Sequence, residues 1–198
     1  GGPSMLRSAA KNFNDVAVVT DINDYTKILE ELEKGGISYE TRRALAIKVF
    51  NTTASYDAAI ANYFNKKDKL VPERLTLSYN LQDSLRYGEN PHQKAYHYVQ
   101  DNNESYALQN AVQLHGKEMS YNNIQDASAA LDILAEFDET TCVAVKHMNP
   151  CGVATGSSVF EAYSRAYEAD PVSIFGGIVA VNGKVDKETA EKMHSIFL

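Results

Sequence analysis

The sequence predicts a layered α/β fold with at least some parallel strand pairing. Short apolar runs of strand length fall at residues 15–20, 95–99, 141–145 and 178–181, and segments with helical apolar spacing stand between them. Strands alternating with helices are the pattern of a sheet layered against helices. With 198 residues, 44% of them hydrophobic and 23% charged, the chain is long enough and apolar enough to bury a core.

Gly1-Gly2-Pro3 reads as a turn opening a short helix that ends near Lys11, Pro3 being tolerated in a first turn. Residues 15–20 read as a buried strand. Asn23 or Asp24 can cap a helix carrying Ile28, Leu29 and Leu32 on one face, which Gly35-Gly36 ends. Ser38 can cap a longer one, whose positions Leu45, Val49, Tyr56, Ile60, Tyr63 and Phe64 keep helical spacing. Residues 65–69 are polar and read as a solvated linker, which divides the chain into domains at 1–68 and 69–198. Beyond it, Leu75, Leu77, Tyr79 and Leu81 alternate as a half-buried strand does. Residues 122–137 predict a helix with Ile124, Ala127, Leu131 and Leu134 inward. Residues 158–169 predict another, and Asp186 caps a last helix that the chain end is expected to cut.

Several function classes are disfavoured. The longest apolar stretch, residues 172–181, is broken by Ser173, Gly176 and Gly177, so neither a membrane span nor a secretory leader is expected. Two cysteines, Cys142 and Cys151, do not make a disulfide framework and point to a reducing cytoplasm. A net charge of −7 without a basic stripe disfavours nucleic acid. Small phosphorylated ligands need only a few local cations, which Lys11, Arg86 and Lys146 can supply.

Chemistry concentrates in two stretches with little apolar periodicity. In Ser84-Leu85-Arg86-Tyr87-Gly88-Glu89-Asn90-Pro91-His92-Gln93, Arg86 offers a planar fork of donors suited to phosphate, Tyr87 a hydroxyl, Gly88 a close backbone approach and Asn90-Pro91 a fixed turn. The second, Lys146-His147-Met148-Asn149-Pro150-Cys151-Gly152, follows the strand 141–145, and ligands of α/β sheets gather at strand ends. A neutral imidazole beside an ammonium can accept a proton while the cation stabilises an oxyanion. The pair can equally be a loop histidine bonding a carbonyl next to a solvated lysine. Pro150-Cys151 is reminiscent of half a zinc deaminase site, but Ala154 stands where the second thiolate belongs and no His-x-Glu precedes it. No zinc is expected on that count, since a catalytic site needs three protein ligands. Gly176-Gly177 reads as a turn or a close backbone approach, and Asn122-Asn123 as a helix cap.

Together these stretches resemble the bifunctional 5-aminoimidazole-4-carboxamide ribonucleotide (AICAR) formyltransferase/IMP cyclohydrolase family of purine biosynthesis. Residues 85–93 and 146–152 are similar to its formyltransferase signatures, in order and spacing. Gly1 to Asn12 resembles the end of its cyclohydrolase site, and residues 53–60 and 116–127 also fit. The resemblance implies a methylglyoxal synthase-like cyclohydrolase domain, of which residues 1–68 are the C-terminal part. A cytidine deaminase-like formyltransferase domain without zinc would follow, with residues 69–198 its N-terminal part. It implies that Lys11 transfers a proton in ring closure, with Gly1 among the substrate-binding residues. Arg86, Tyr87, Asn123, His147 and the Gly176 backbone would contact AICAR. His147 would be the general base and Lys146 the transition-state cation for transfer from 10-formyltetrahydrofolate, the co-substrate. Formyl-AICAR is the substrate of the second reaction.

Family enzymes are homodimers and far longer. The resemblance therefore implies an internal fragment, with an acidic residue before Gly1 and most folate-binding residues after Leu198 lying outside it, and little turnover alone. The competing reading is a non-catalytic AICAR- or nucleotide-binding module.

Overall fold

In the computed structural model, which describes residues 2–100 and 107–198, two compact units divide the chain, Gly1–Ser78 and Tyr79–Leu198. The first is helical. Helix α1 (Pro3–Lys11) carries Pro3 at its start, where a missing N–H costs no helical bond. Residues 15–20, expected as a strand, pair with no strand among the described residues. Val18 alone of them is buried, against Ala10, Ala46 and Val49. The run supplies one buried side chain and enters no ladder among the described residues. A 3-10 turn (Ile22–Asp24), capped by the Asp21 side chain, leads into α2 (Tyr25–Glu33), whose N-cap is Asp24, one of the two residues expected there, though its side chain makes no capping bond. Gly35 and Gly36 then take positive φ of 105° and 146° and end the helix as expected.

Helix α3 (Tyr39–Asp68) begins at Ser38, whose hydroxyl accepts the Thr41 N–H. Glu31 reaches the same cap, accepting from Thr41 Oγ1 at 2.6 Å and Ser38 N at 2.8 Å, and these bonds hold its carboxyl below the ordinary value. Lys48, one turn into the helix beyond Ala44, donates to Asp21 at 2.7 Å and Asp24 at 2.8 Å. Residues 65–68 were expected as linker but continue α3. Lys66 and Lys67 are good helix formers, and the helix ends only at Lys69, in left-handed conformation. The apolar stripe also divides: Leu45 and Val49 are buried, whereas Tyr56, Ile60, Tyr63 and Phe64 are exposed.

The second unit begins with a hairpin of β1 (Asn80–Leu85) and β2 (Ala95–Val99). β2 lies where the sequence predicts it; β1 starts later than the expected strand. Then come α4 (Tyr121–Leu134), β3 (Thr141–Lys146), β4 (Asn149–Thr155), α5 (Val159–Ala169), β5 (Ile178–Val181) and α6 (Lys187–His194). The last helix is capped by Asp186 as expected but closes at His194, with residues 195–198 following. Strand order is β4-β3-β5, and both pairings are antiparallel. The expected parallel pairing is therefore absent among the described residues. Its source is β4: with the residues after 145 read as a loop, β3, α5 and β5 imitate a strand–helix–strand crossover. Pro150 is accommodated because β4 is an edge strand.

β3 is central and its residues 141–145 are wholly buried. Cys142 and Ala144 face Ala162, Tyr163 and Ala166 of α5, while Val143 and Val145 face Ala130 and Leu134 of α4. Helices on both sides of one strand explain its unbroken apolar sequence. Burial pushes the Cys142 thiol up to about 12, which leaves it an inert filler. The buried Tyr163 hydroxyl has no hydrogen-bond partner. Tyr163→Phe is accordingly expected to leave stability unchanged or raise it by up to about 1 kcal/mol. Tyr163→Ala costs about 3–5 kcal/mol through the cavity it opens. Urea unfolding of both variants measures the contrast, and a Phe variant as damaged as the Ala variant would contradict it. No described helix is long and apolar enough to cross a membrane.

Candidate active site

β3 carries Lys146 out of the core and turns back at once. Lys146 pairs with Asn149, so His147 and Met148 form the whole loop of a two-residue hairpin. Their φ values, 53° and 62°, are both left-handed, as such tight loops demand. The strand end that sequence reading placed before a loop is thus the tip of a tight hairpin. Just below it Cys151 is an unpaired bulge residue between the Ala144–Gly152 and Val145–Pro150 pairs, and bulges of this kind re-aim neighbouring side chains.

Lys146 leans toward the segment before β5. Its Nζ donates to the Phe175 carbonyl at 2.5 Å, leaving two of an ammonium's three donors for other acceptors. Gly176 lies beside it with φ 72°, and a Cβ built there would stand 3.8 Å from Lys146 Nζ. Its N–H donates to the Phe197 carbonyl at 2.7 Å. Gly176 is therefore needed for its backbone angle, and its missing side chain keeps one side of the ammonium open.

The other motif leaves the end of β1. Arg86 is exposed, with its guanidinium carbon 5.7 Å from the centre of the half-buried Tyr87 ring. Gly88 donates to the Gln93 carbonyl at 2.8 Å, and Asn90 N donates to Gln93 Oε1 at 2.8 Å. Gln93 thereby closes the loop, and a side chain at Gly88 would meet Gln93 Cβ at 2.9 Å.

Helix α4 holds both motifs. Asn122 Nδ2 donates to the Glu89 carbonyl at 3.3 Å, and Asp126 Oδ1 accepts the Met148 N–H at 2.8 Å. Residues four apart share a helix face, so the Arg86 loop and the His147 turn are fastened to neighbouring points of one surface. Asn123, though exposed, is engaged in a capping box: its Oδ1 accepts from Ser120 N at 3.1 Å and from Ser120 Oγ at 2.9 Å. Sequence reading missed Asp126 and β4. A carboxylate one helical turn after Asn122 was the available sign.

Lys11 lies in the first unit, exposed at the C-terminus of α1. Its neighbour Arg7 donates to Thr53 Oγ1 at 3.1 Å and stacks 5.3 Å from the centre of the Phe50 ring. Gly1 lies outside the described residues. Among these residues no three His, Cys, Asp or Glu side chains gather as a metal would require, and Ala154 pairs with Cys142 across β4 and β3.

The sequence model of one known family, the AICARFT/IMPCHase bienzyme, matches residues 9–198. The chain belongs to the AICARFT/IMPCHase family. Relatives of this AICARFT/IMPCHase chain include the bifunctional purine biosynthesis protein PurH of Lysinibacillus sphaericus (strain C3-41), 58% identical over 199 residues. PurH of Lactobacillus acidophilus is 58% identical over 201 residues, and that of Listeria monocytogenes serotype 4b (strain CLIP80459) 58% over 200. Each match covers 100% of this chain and 39% of the relative. The chain thus spans about two fifths of the length of the curated relatives it matches.

Proposed function

We propose that the chain carries parts of two sites of purine biosynthesis. One transfers a formyl group from 10-formyltetrahydrofolate to the 5-amino group of AICAR; the other closes formyl-AICAR to IMP with loss of water. In this reading residues 1–68 belong to a methylglyoxal synthase-like cyclohydrolase domain and residues 69–198 to a cytidine deaminase-like formyltransferase domain. The observation that carries it is the placement of Lys146 and His147 at a tight hairpin tip, tethered through α4 to the Arg86 loop.

An aromatic amine beside a carboxamide is a poor nucleophile, so its attack needs a base and a means of holding the negative charge that develops. The amine nitrogen bonds to the formyl carbon, His147 takes the proton the nitrogen loses, and the carbon–N10 bond breaks with N10 gaining a proton. Lys146 stabilises the oxygen that is negative in between, using donors not engaged by Phe175. Arg86, beside Tyr87, grips the ribonucleotide phosphate in a forked pair of bonds. Gly176 admits the ligand next to the ammonium. Asn123, engaged with Ser120, contributes as the cap that sets the start of α4 and contacts AICAR only with the atoms this cap leaves open. In the second reaction the carboxamide nitrogen attacks the formyl carbon and water leaves, with Lys11 transferring the proton and Gly1 beside the substrate.

The exposed Tyr56, Ile60, Tyr63 and Phe64 stripe supports a homodimer, and a cytoplasmic enzyme without membrane or nucleic-acid partners fits the composition. Calorimetric titration of AICAR into a chain completed to the length of its relatives tests the site. Arg86→Ala is expected to weaken binding by about 10- to 100-fold, the worth of a charged forked contact. Unchanged affinity would remove Arg86 from the site. Firm AICAR binding without any formyl transfer would favour the non-catalytic module instead.

A further inference from the structure

The His147 turn is built from the wrong residues for its shape. Two-residue hairpin loops with both residues left-handed favour Asn-Gly, because a Cβ crowds the backbone at positive φ. Here the two are His147 and Met148, at φ 53° and 62°. Such a turn persists when its surroundings hold it.

A single peptide group is held from both sides. The His147 carbonyl accepts from Asn149 Nδ2 at 2.8 Å, and the N–H of the same peptide, on Met148, donates to Asp126 Oδ1 at 2.8 Å. Asn149 belongs to the hairpin itself. Asp126 does not: it comes from α4, which is packed on the sheet through Ala130, Leu134, Val143 and Val145. The carboxylate thus ties the turn to the rigid body of the unit.

We infer that Asp126 is a positioning residue for His147. By holding the His147–Met148 peptide against rotation, it fixes the direction in which the imidazole leaves the hairpin tip. Asp126 itself touches neither reacting group. The inference rests on the formyl-transfer reading above, and its test separates the two.

The test uses the chain completed to the length of its relatives, with steady-state formyl transfer to AICAR as readout. Asp126→Ala is expected to lower kcat by about 10- to 100-fold with KM for AICAR changed by no more than about twofold, the signature of a misdirected group rather than lost binding. Asp126→Asn retains an acceptor oxygen and is expected to restore kcat to within about threefold of the parent. Adding Met148→Gly to Asp126→Ala relieves the left-handed residue and is expected to recover about tenfold. An Asp126→Asn variant as slow as Asp126→Ala, or no recovery with Met148→Gly, overturns the inference, because the carboxylate would then act by its charge.

His147→Ala run in parallel separates the levels. If it is inactive while Asp126→Ala is fully active, positioning fails and the formyl-transfer reading stands; if it keeps the parent rate, the base assignment fails and positioning with it. Amide exchange gives a readout without turnover. The Met148 N–H is expected to exchange about tenfold faster in Asp126→Ala, and an unchanged rate overturns the clamp.

Discussion

Replacing His147 with alanine, in a chain completed to the length of its relatives, is expected to slow formyl transfer to AICAR by about 10²–10⁴-fold, the usual worth of a positioned general base. Stability should barely change, because His147 is exposed at the hairpin tip and buries nothing. His147→Asn is the sharper variant. Asparagine tolerates the left-handed backbone that position requires, so it keeps the turn and removes only the base. It should be as slow as His147→Ala; an active Asn variant would mean that the turn's shape, and not the imidazole, matters. Lys146→Ala is expected to cost about 10²–10³-fold, as loss of one oxyanion donor does. Combining the two should cost less than the product of the single losses, since groups that serve one transition state are not additive. Rates within about twofold of the parent in both single variants would remove this pair from the chemistry.

Gly152→Ala is expected to be the most damaging single methyl addition in the second unit. A Cβ at Gly152 would stand 2.1 Å from the Ala166 carbonyl oxygen and 2.9 Å from its carbon, both backbone atoms of α5. Neither can swing aside as a side chain would. Either α5 moves off the sheet, opening the cluster of Cys142, Ala144, Ala162, Tyr163 and Ala166, or β4 leaves β3. Overpacking a tight interface costs about 1–3 kcal/mol, and rigid backbone on both sides puts this site at or above the top of that range. Val153→Ala, on the same strand at an exposed position, serves as the control and should cost less than about 1 kcal/mol. Urea midpoints of the two variants compare them directly. A Gly152→Ala midpoint equal to that of the control would show that α5 is not seated on β4 as described. The same contact explains why this motif carries a glycine after Cys151: the residue serves packing, next to residues that serve chemistry.

Local signals were legible where one segment carries its own cause. Ser38 and Asp186 cap helices through their side chains as their types suggest, and the strands at 95–99, 141–145 and 178–181 lie where apolar runs put them. Features that depend on a distant partner were not. Residues 15–20 have strand character but meet no strand among the described residues. β4 contains Pro150 and Gly152, residues commoner in turns, and becomes a strand only because β3 supplies its ladder. Missing it made an antiparallel sheet look parallel. The candidate site divides in the same way. Arg86, Tyr87, Lys146, His147 and Gly176 stand out by type and spacing, whereas Asp126 is an ordinary helical carboxylate until the fold brings the Met148 amide to it. Asn123 was legible twice over, as cap and as contact, and the structure spends its side chain on the cap.

Asn122 and Asp126 make α4 a gauge. A helix rises about 1.5 Å per residue, so the two fastening points stand about 6 Å apart along the axis and nearly in line. Whatever spans from the Arg86 loop to the His147 turn is measured against that interval. Residues can be gained or lost in the loops of the unit without altering it, but a single insertion between Asn122 and Asp126 would swing one fastening about 100° around the helix from the other. The stretch of α4 from Asn122 to Asp126, which supplies no reacting group, is therefore the piece whose length is least free to drift.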